Sequence, residues 1–345
     1  MGIFKRGAKD SPEPGGLSAI PSFWQWWVSE GRPLAEQAIQ GGGWGNFADE
    51  ISARVARIHP DMEWETAAGA TAKHALIITS GGISDRRSLA ERCFRAAPPA
   101  DPTWEYHPAR QSDPEALTSR LELDGSELDL SLMRVGLTLD AERQKADVSV
   151  FHPGFATIPE QARGQATYLL LDWLLGEDGV ERWLGAVQAV TVCPVDALPA
   201  DALPETVLAL AARTGDHQWA LLEGQRDGKP VLVSAMRPMK WIDNCLLDQH
   251  LEVLLRFVER TEQGYPQGVA LERLRQLEDQ LTAQLGDRAL LVAHETRDGL
   301  RTLHLYADHT DQSVLGVAQQ VAATWPGSRV RTELDPGWKN VSAFG

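Results

Sequence analysis

The chain has 345 residues, a formal net charge of -15, 43% hydrophobic and 23% charged residues. That length accommodates two domains of ordinary size, and the composition is that of a globular chain. The acidic balance argues against nucleic acid as a partner, since such binding draws on Lys and Arg neutralising phosphate. No stretch approaches the roughly 18 apolar residues that a membrane-spanning helix needs, so no membrane association is expected.

Residues 1–18, rich in Lys, Pro and Gly, read as a disordered tail. The basic start lacks an apolar core of the signal-peptide kind, and Arg6 stands where a myristoylation pattern wants Ser or Thr. A cytoplasmic location is therefore expected. Cys93, Cys193 and Cys245 lie far apart without a CxxC pair, so they read as small apolar residues rather than zinc ligands or a disulfide framework.

An N-terminal α+β domain is expected over residues 19–195. Phe23 to Trp27 opens a helix whose tryptophans cover most of its surface, which points to burial between elements rather than an exposed platform. Asn46 and Asp49 resemble a cap for a helix with Phe47, Ile51, Val55 and Ile58 on one stripe. Strands follow at Met62 to Ala67, His74 to Thr79 and Trp104 to Pro108, with a helix over Arg86 to Phe94. Alternation in Leu128/Leu130/Leu132, Val135/Leu137/Leu139 and Val148/Val150 predicts antiparallel strands with one wet face. Thr157 and Glu160 form a capping-box pattern before a helix carrying Ala162, Ala166, Leu170 and Leu174, which Gly176 stops. A strand at Ala186 to Cys193 closes the domain.

Pro194, Pro199 and Pro204 mark a linker over residues 196–214 that holds a short helix from Pro204 to Arg213. The second domain, residues 215–345, opens with a hairpin turned at Asp227-Gly228. From Leu251 to Leu334 the pattern is strand, helix, hairpin through Asp298-Gly299, helix and strand. That order is a ferredoxin-like βαββαβ unit, with helices on one face of an antiparallel sheet and a second face that must find its own cover.

No catalytic constellation assembles from spacing. Gly43-Trp44-Gly45-Asn46-Phe47-Ala48 matches a dinucleotide fingerprint but follows a helix instead of a strand, so it reads as a glycine-rich interhelix loop. His304, His309, Asp308 and Asp311 are the densest set of metal-ligand types, yet helix capping accounts for the aspartates. Asp172, Glu177, Asp178 and Glu181 invite a metal reading too. Gly176 instead lets the last three begin a new helix, where carboxylates oppose no dipole. The expectation is no catalytic residue, no cofactor and no metal.

Asp227-Gly228-Lys229-Pro230, Gly264-Tyr265-Pro266, the hairpin from Thr296 to Arg301, Tyr306 with Asp308, and Asp335-Pro336-Gly337-Trp338 carry a resemblance. In this order they resemble the bacterial domain of unknown function 695 family, from about His217 to Phe344. The preceding segment, with His59 to Glu65 and Leu171 to Glu177, looks like the one that often accompanies that domain. The family has no established activity, so the resemblance implies a fold and no catalytic residue. Its topology is similar to that of the protein inhibitor of ribonuclease E, an analogy of fold alone.

These readings favour a non-enzymatic module that binds another protein, as a regulator or immunity-type inhibitor, with an acidic surface suited to a basic partner. The alternative is an enzyme or small-ligand-binding protein with a site in the crevice between domains. For the protein-binding reading, pairing around Asp298-Gly299 sets residues whose numbers sum to 597 opposite each other. That puts Leu290, Val292, Leu303 and Leu305 under the helices. Leu291, Ala293, Glu295, Thr302, His304 and Tyr306, joined by Arg329 and Arg331, then lie on the other face, which is either the expected interface or a surface covered by the Trp219 hairpin or the first domain.

Overall fold

The computed structural model describes residues 15–213, 215 and 217–345. The tail expected over residues 1–18 falls mostly outside the described residues, although Gly16–Ala19 form a 3-10 turn. Two compact units emerge, residues 15–140 with 144–213 and residues 217–345 with 141–143. Helices and antiparallel strand pairs mix in both, so the chain is α+β. Among the described residues no helix is long and apolar enough to cross a membrane.

The first unit opens with α1 (Ile20–Trp26), a π turn and α2 (Arg32–Gly41), followed by α3 (Gly45–Ile58). Strands β1 (Glu63–Ala68) and β2 (His74–Thr79), helix α4 (Ser84–Arg95) and β3 (Trp104–His107) come next. Trp24, Trp26 and Trp27 are buried against Phe47, Trp64, Trp104 and Tyr106, so the tryptophan-rich segment is core. Trp44 takes the N-cap position of α3 without a side-chain bond, so Asn46 does not cap it. The glycine-rich stretch lies between α2 and α3, as an interhelix loop.

A second core of the same unit lies among β4 (Arg120–Leu123), β5 (Ser126–Asp129), β6 (Arg134–Asp140), β7 (Lys145–Phe151), α5 (Glu160–Leu175), α6 (Glu177–Trp183) and β8 (Leu184–Val190). The expected capping box does not form: Pro159 is the N-cap of α5, and the Thr157 hydroxyl bonds the Gly154 carbonyl instead. Residues 198–213, expected as linker, belong to this core. β9 (Leu198–Pro199) pairs with β6, and α7 (Leu203–Arg213) buries Leu203 and Val207. Among the described residues the β4-β5 pair is antiparallel, but the β1-β2-β3 and β8-β7-β6-β9 sheets are mixed. β2 and β3 run parallel, as do β7 and β8, because a helical crossover returns the chain to the same end of the sheet.

The second unit holds the hairpin β10 (Gln218–Arg226) and β11 (Lys229–Arg237), then β12 (Gln249–Arg256), α8 (Gly268–Leu285), β13 (Ala289–Arg297), β14 (Leu300–Ala307), α9 (Gln312–Ala322) and β15 (Arg329–Leu334). Its one sheet has the order β10-β11-β13-β14-β12-β15 with every neighbour antiparallel. Both tight turns form at Asp-Gly pairs with positive φ, 54° and 73° at Asp227-Gly228 and 48° and 74° at Asp298-Gly299. Leu274, Leu277 and Leu281 of α8 and Val314, Ala318 and Val321 of α9 pack on Leu251, Val253, Leu303 and Leu305.

The second face is covered by the chain itself. Trp338, Val341 and Phe344, from the turn and 3-10 helix after β15, pack on Val233, Ala235, Val292 and Tyr306.

Candidate functional site

A dense set of buried charges lies in the first unit, on elements that carry its two cores. Glu65 comes from β1, Thr79 ends β2, and Arg110 follows β3. Asp172 lies in the last turn of α5 and Glu177 at the first turn of α6. The Arg110 guanidinium donates from Nε to both Glu65 oxygens at 3.0 and 3.1 Å, and from Nη2 to Glu65 Oε2 at 2.9 Å. Its Nη1 donates to Asp172 Oδ2 at 3.0 Å and lies 3.8 Å from Glu177 Oε1. Glu177 Oε2 also accepts from the Arg110 backbone N–H at 3.2 Å and from the Thr79 hydroxyl.

The backbone makes this convergence possible. Gly176 joins α5 to α6 at φ 73°, and a Cβ placed there would meet the Arg110 carbonyl at 2.9 Å. With no side chain in the way, the Glu177 N–H donates to that carbonyl at 3.1 Å. A second clamp lies alongside. Arg87 of α4 is buried and holds Asp178 through two 2.8 Å bonds and Glu91 at 3.1 Å.

Three carboxylates around one guanidinium leave negative charge in excess, and burial makes that excess expensive. Burial first, then repulsion from Glu177, pushes the Asp172 carboxyl up to about 7, against the pull of Arg110. Burial raises Glu177 as well, although the Thr79 hydroxyl and Arg110 oppose the shift. Burial works against the Arg110 charge, but Glu65, Glu177 and Asp172 outweigh it and hold that group above its ordinary value.

This cluster forms one wall of a cavity of about 530 Å³. Glu63 and Gly81 line another side, and Gln161, Gln165, Tyr168 and Asp172 face it at helical spacing along α5. Tyr168 is 53% exposed and stands at the rim. The arrangement places a carboxyl that titrates near neutrality beside amide and phenol groups able to orient a small polar molecule. Asp172 and Glu177 were legible as acidic residues near a helix junction. Arg110, Glu65 and Thr79 carried no signal, because only the fold brings them together.

The residues expected to form an interface on the second unit's sheet have mostly other fates. A β-bulge between Leu291 and Ala293 shifts the register, so Leu290 pairs with Tyr306 and Leu291 with Leu305. Leu291 therefore packs on the helix side, while Leu290 and Val292 join the second face. Glu295, His304 and Tyr306 are buried. Tyr306 stacks on Trp338, ring centroids 4.5 Å apart, and donates to Asp335 Oδ2 at 2.6 Å. His304 stacks on His250 and shares a 3.1 Å ring-nitrogen bond with it. Only Arg329 and Arg331, on the edge strand β15, are exposed.

The dense His/Asp set also separates. Asp311 caps α9 through the Ser313 N–H at 3.0 Å, as expected of a cap, and His309 leaves His304 to meet Asp248.

Residues 217–344, the C-terminal part of the chain, match the model of a family of unknown function (DUF695). No curated protein matches the chain. The match covers the second unit, whereas the Arg110 cluster and its cavity belong to the first.

Proposed function

We propose that the protein binds a small cationic molecule in the first unit, with Asp172 as the group that meets its charge. One observation carries this reading: a carboxyl held near pH 7 by burial and by a second carboxylate, on the wall of a 530 Å³ cavity. An incoming ammonium or guanidinium supplies the counter-charge that Arg110 alone does not, and it draws the proton off Asp172. Glu177 and Glu65 stay engaged with Arg110 and Thr79 and hold Asp172 in place. Gln161, Gln165 and Tyr168 select by hydrogen bonding at the rim. This ligand-binding reading replaces the crevice between domains with a site inside one unit.

Thermal shift and calorimetry with a series of alkyl amines, diamines and guanidines test it, with matched carboxylates as controls. Binding that strengthens from pH 6 to pH 8 and disappears in Asp172→Asn is expected. Equal response to amines and carboxylates, or none to either, defeats the reading.

A protein partner is the second reading, favoured by the two open edges of the six-stranded sheet. β15 presents Arg329 and Arg331, and β10 presents Trp219 and Leu221, which are 51% and 65% exposed. The strand order β15-β12-β14-β13, with two helices on one face, supports the ferredoxin-like reading of this part, the β10-β11 hairpin extending it. In a pull-down from the native host, unchanged capture by Arg329→Ala/Arg331→Ala removes the β15 edge from this reading.

A further inference from the structure

One end of the second unit's sheet brings together three groups that no motif spacing connects. β12 begins at Gln249 and β14 ends at Ala307, and these two residues are register partners on adjacent strands. The residues just outside them, Asp248 and Asp308, therefore lie side by side, with His309 next along the chain. One ligand atom each from Asp248, Asp308 and His309 falls within 4.8 Å of the others, the span of a single coordination sphere.

Burial gives the arrangement its meaning. Asp248 is only 1% exposed, so its charge must be met locally. His309 is one of its partners: Nδ1 lies 3.0 and 2.9 Å from the two Asp248 oxygens, and the His309 backbone N–H donates to Oδ1 at 3.1 Å. Asp308 is fixed from its other side, its Oδ1 accepting from the Thr310 N–H at 2.8 Å and the Thr310 hydroxyl at 2.7 Å. The ligands come from two strand ends that the sheet holds in register, and the buried one cannot swing away. The Asp248 carbonyl accepts from the Asp335 N–H at 2.8 Å, which ties the same corner to the end of β15.

We infer that Asp248, Asp308 and His309 form a divalent transition-metal site. One imidazole and two carboxylates suit borderline ions such as Zn²⁺, Co²⁺ or Mn²⁺ better than Ca²⁺, which takes oxygen ligands alone. On binding, the ion takes the place of the contact between His309 Nδ1 and Asp248, and His309 coordinates as neutral imidazole. Three protein ligands leave at least one coordination position for water or a ligand, the pattern of reactive rather than structural sites. The site is separate from the first unit's cavity, and its test is independent of the amine series.

Titration of the full chain with Co²⁺, read by visible absorption, and with Zn²⁺, read by calorimetry, decides it. One equivalent is expected, with a ligand-field band and a raised melting temperature in its presence. His309→Gln and Asp308→Asn, both at solvent-accessible positions, should lower affinity at least 10-fold. His294→Gln, at a histidine paired with Glu278, should leave it unchanged. Unaltered binding by His309→Gln, or no stoichiometric binding by the parent chain, overturns the inference.

Discussion

The two units handle buried polar groups in opposite ways. Around Arg110 the first unit gathers full charges, three carboxylates to one guanidinium, and leaves the balance negative. Behind its sheet the second unit stacks neutral rings, with Asp335 accepting from the Tyr306 hydroxyl and the Lys339 and Asn340 N–H groups. A charge cluster stays sensitive to any further ion or proton, because each added charge changes the whole balance. The stack of neutral rings responds to loss of packing and, through the buried His304 Nε2 that has no hydrogen-bond partner, to protonation. Unbalanced charge thus marks the first arrangement and close ring packing the second.

The largest effects should come from removing the centre of each arrangement. Trp338→Ala takes out a side chain 2% exposed, stacked on Tyr306 and bonded through Nε1 to the Leu247 carbonyl at 2.8 Å. It should destabilise the second unit by about 3–5 kcal/mol, measured by urea unfolding. Arg110→Met strands the carboxylates without their counter-charge and should cost the first unit about 3–5 kcal/mol. An Arg110→Met/Asp172→Asn/Glu177→Gln triple variant should recover part of that loss. No recovery breaks the claim that charge balance, rather than shape, governs the cluster.

Acidity should separate the units next. Asp172 has a folded value near 7, above its ordinary 3.8. Its contribution is therefore present in acid and fades as pH rises through 7, at up to about 1.4 kcal/mol per pH unit. His304 shows the reverse: burial first, then the neighbouring charges, lowers it from 6.5 to about 3. The second unit should lose stability as pH falls below about 6.5, because the unfolded chain takes up a proton that the folded one refuses. Urea unfolding of the full chain at pH 5 and pH 7.5, repeated with Asp172→Asn and His304→Gln, reads both slopes. Slopes of the same sign in the two units would erase the distinction.

The smallest effect is expected at the sheet edge. Arg329→Ala with Arg331→Ala should change stability by less than about 0.5 kcal/mol, since both side chains are exposed. Arg331 has Glu252 at 3.9 Å, too long and too wet a pair to contribute much.

Periodicity carried most of the second unit. Leucines at helical spacing fixed α8, two Asp-Gly pairs fixed the hairpins, and Asp335-Pro336-Gly337 turned Trp338 inward. The bulge escaped because Ala289 to Ala293 is apolar throughout, so its alternation reads equally well in either phase. One inserted residue was enough to send Leu291 to the opposite side. The Arg110 cluster escaped for a different reason: Glu65 and Glu177 are separated by most of the first unit's sequence. Local pattern describes surfaces to be buried, whereas a charge cluster is defined by which surfaces meet.

The cover on the second face has a consequence for synthesis. Val341 and Phe344 are core residues, and the Phe344 carbonyl accepts from Arg237 Nε at 2.9 Å. A ribosome that has made every strand of this sheet has still not supplied what closes it. Until Phe344 clears the exit tunnel, the nascent second unit presents Tyr306, Val292 and Met236 to solvent and to chaperones.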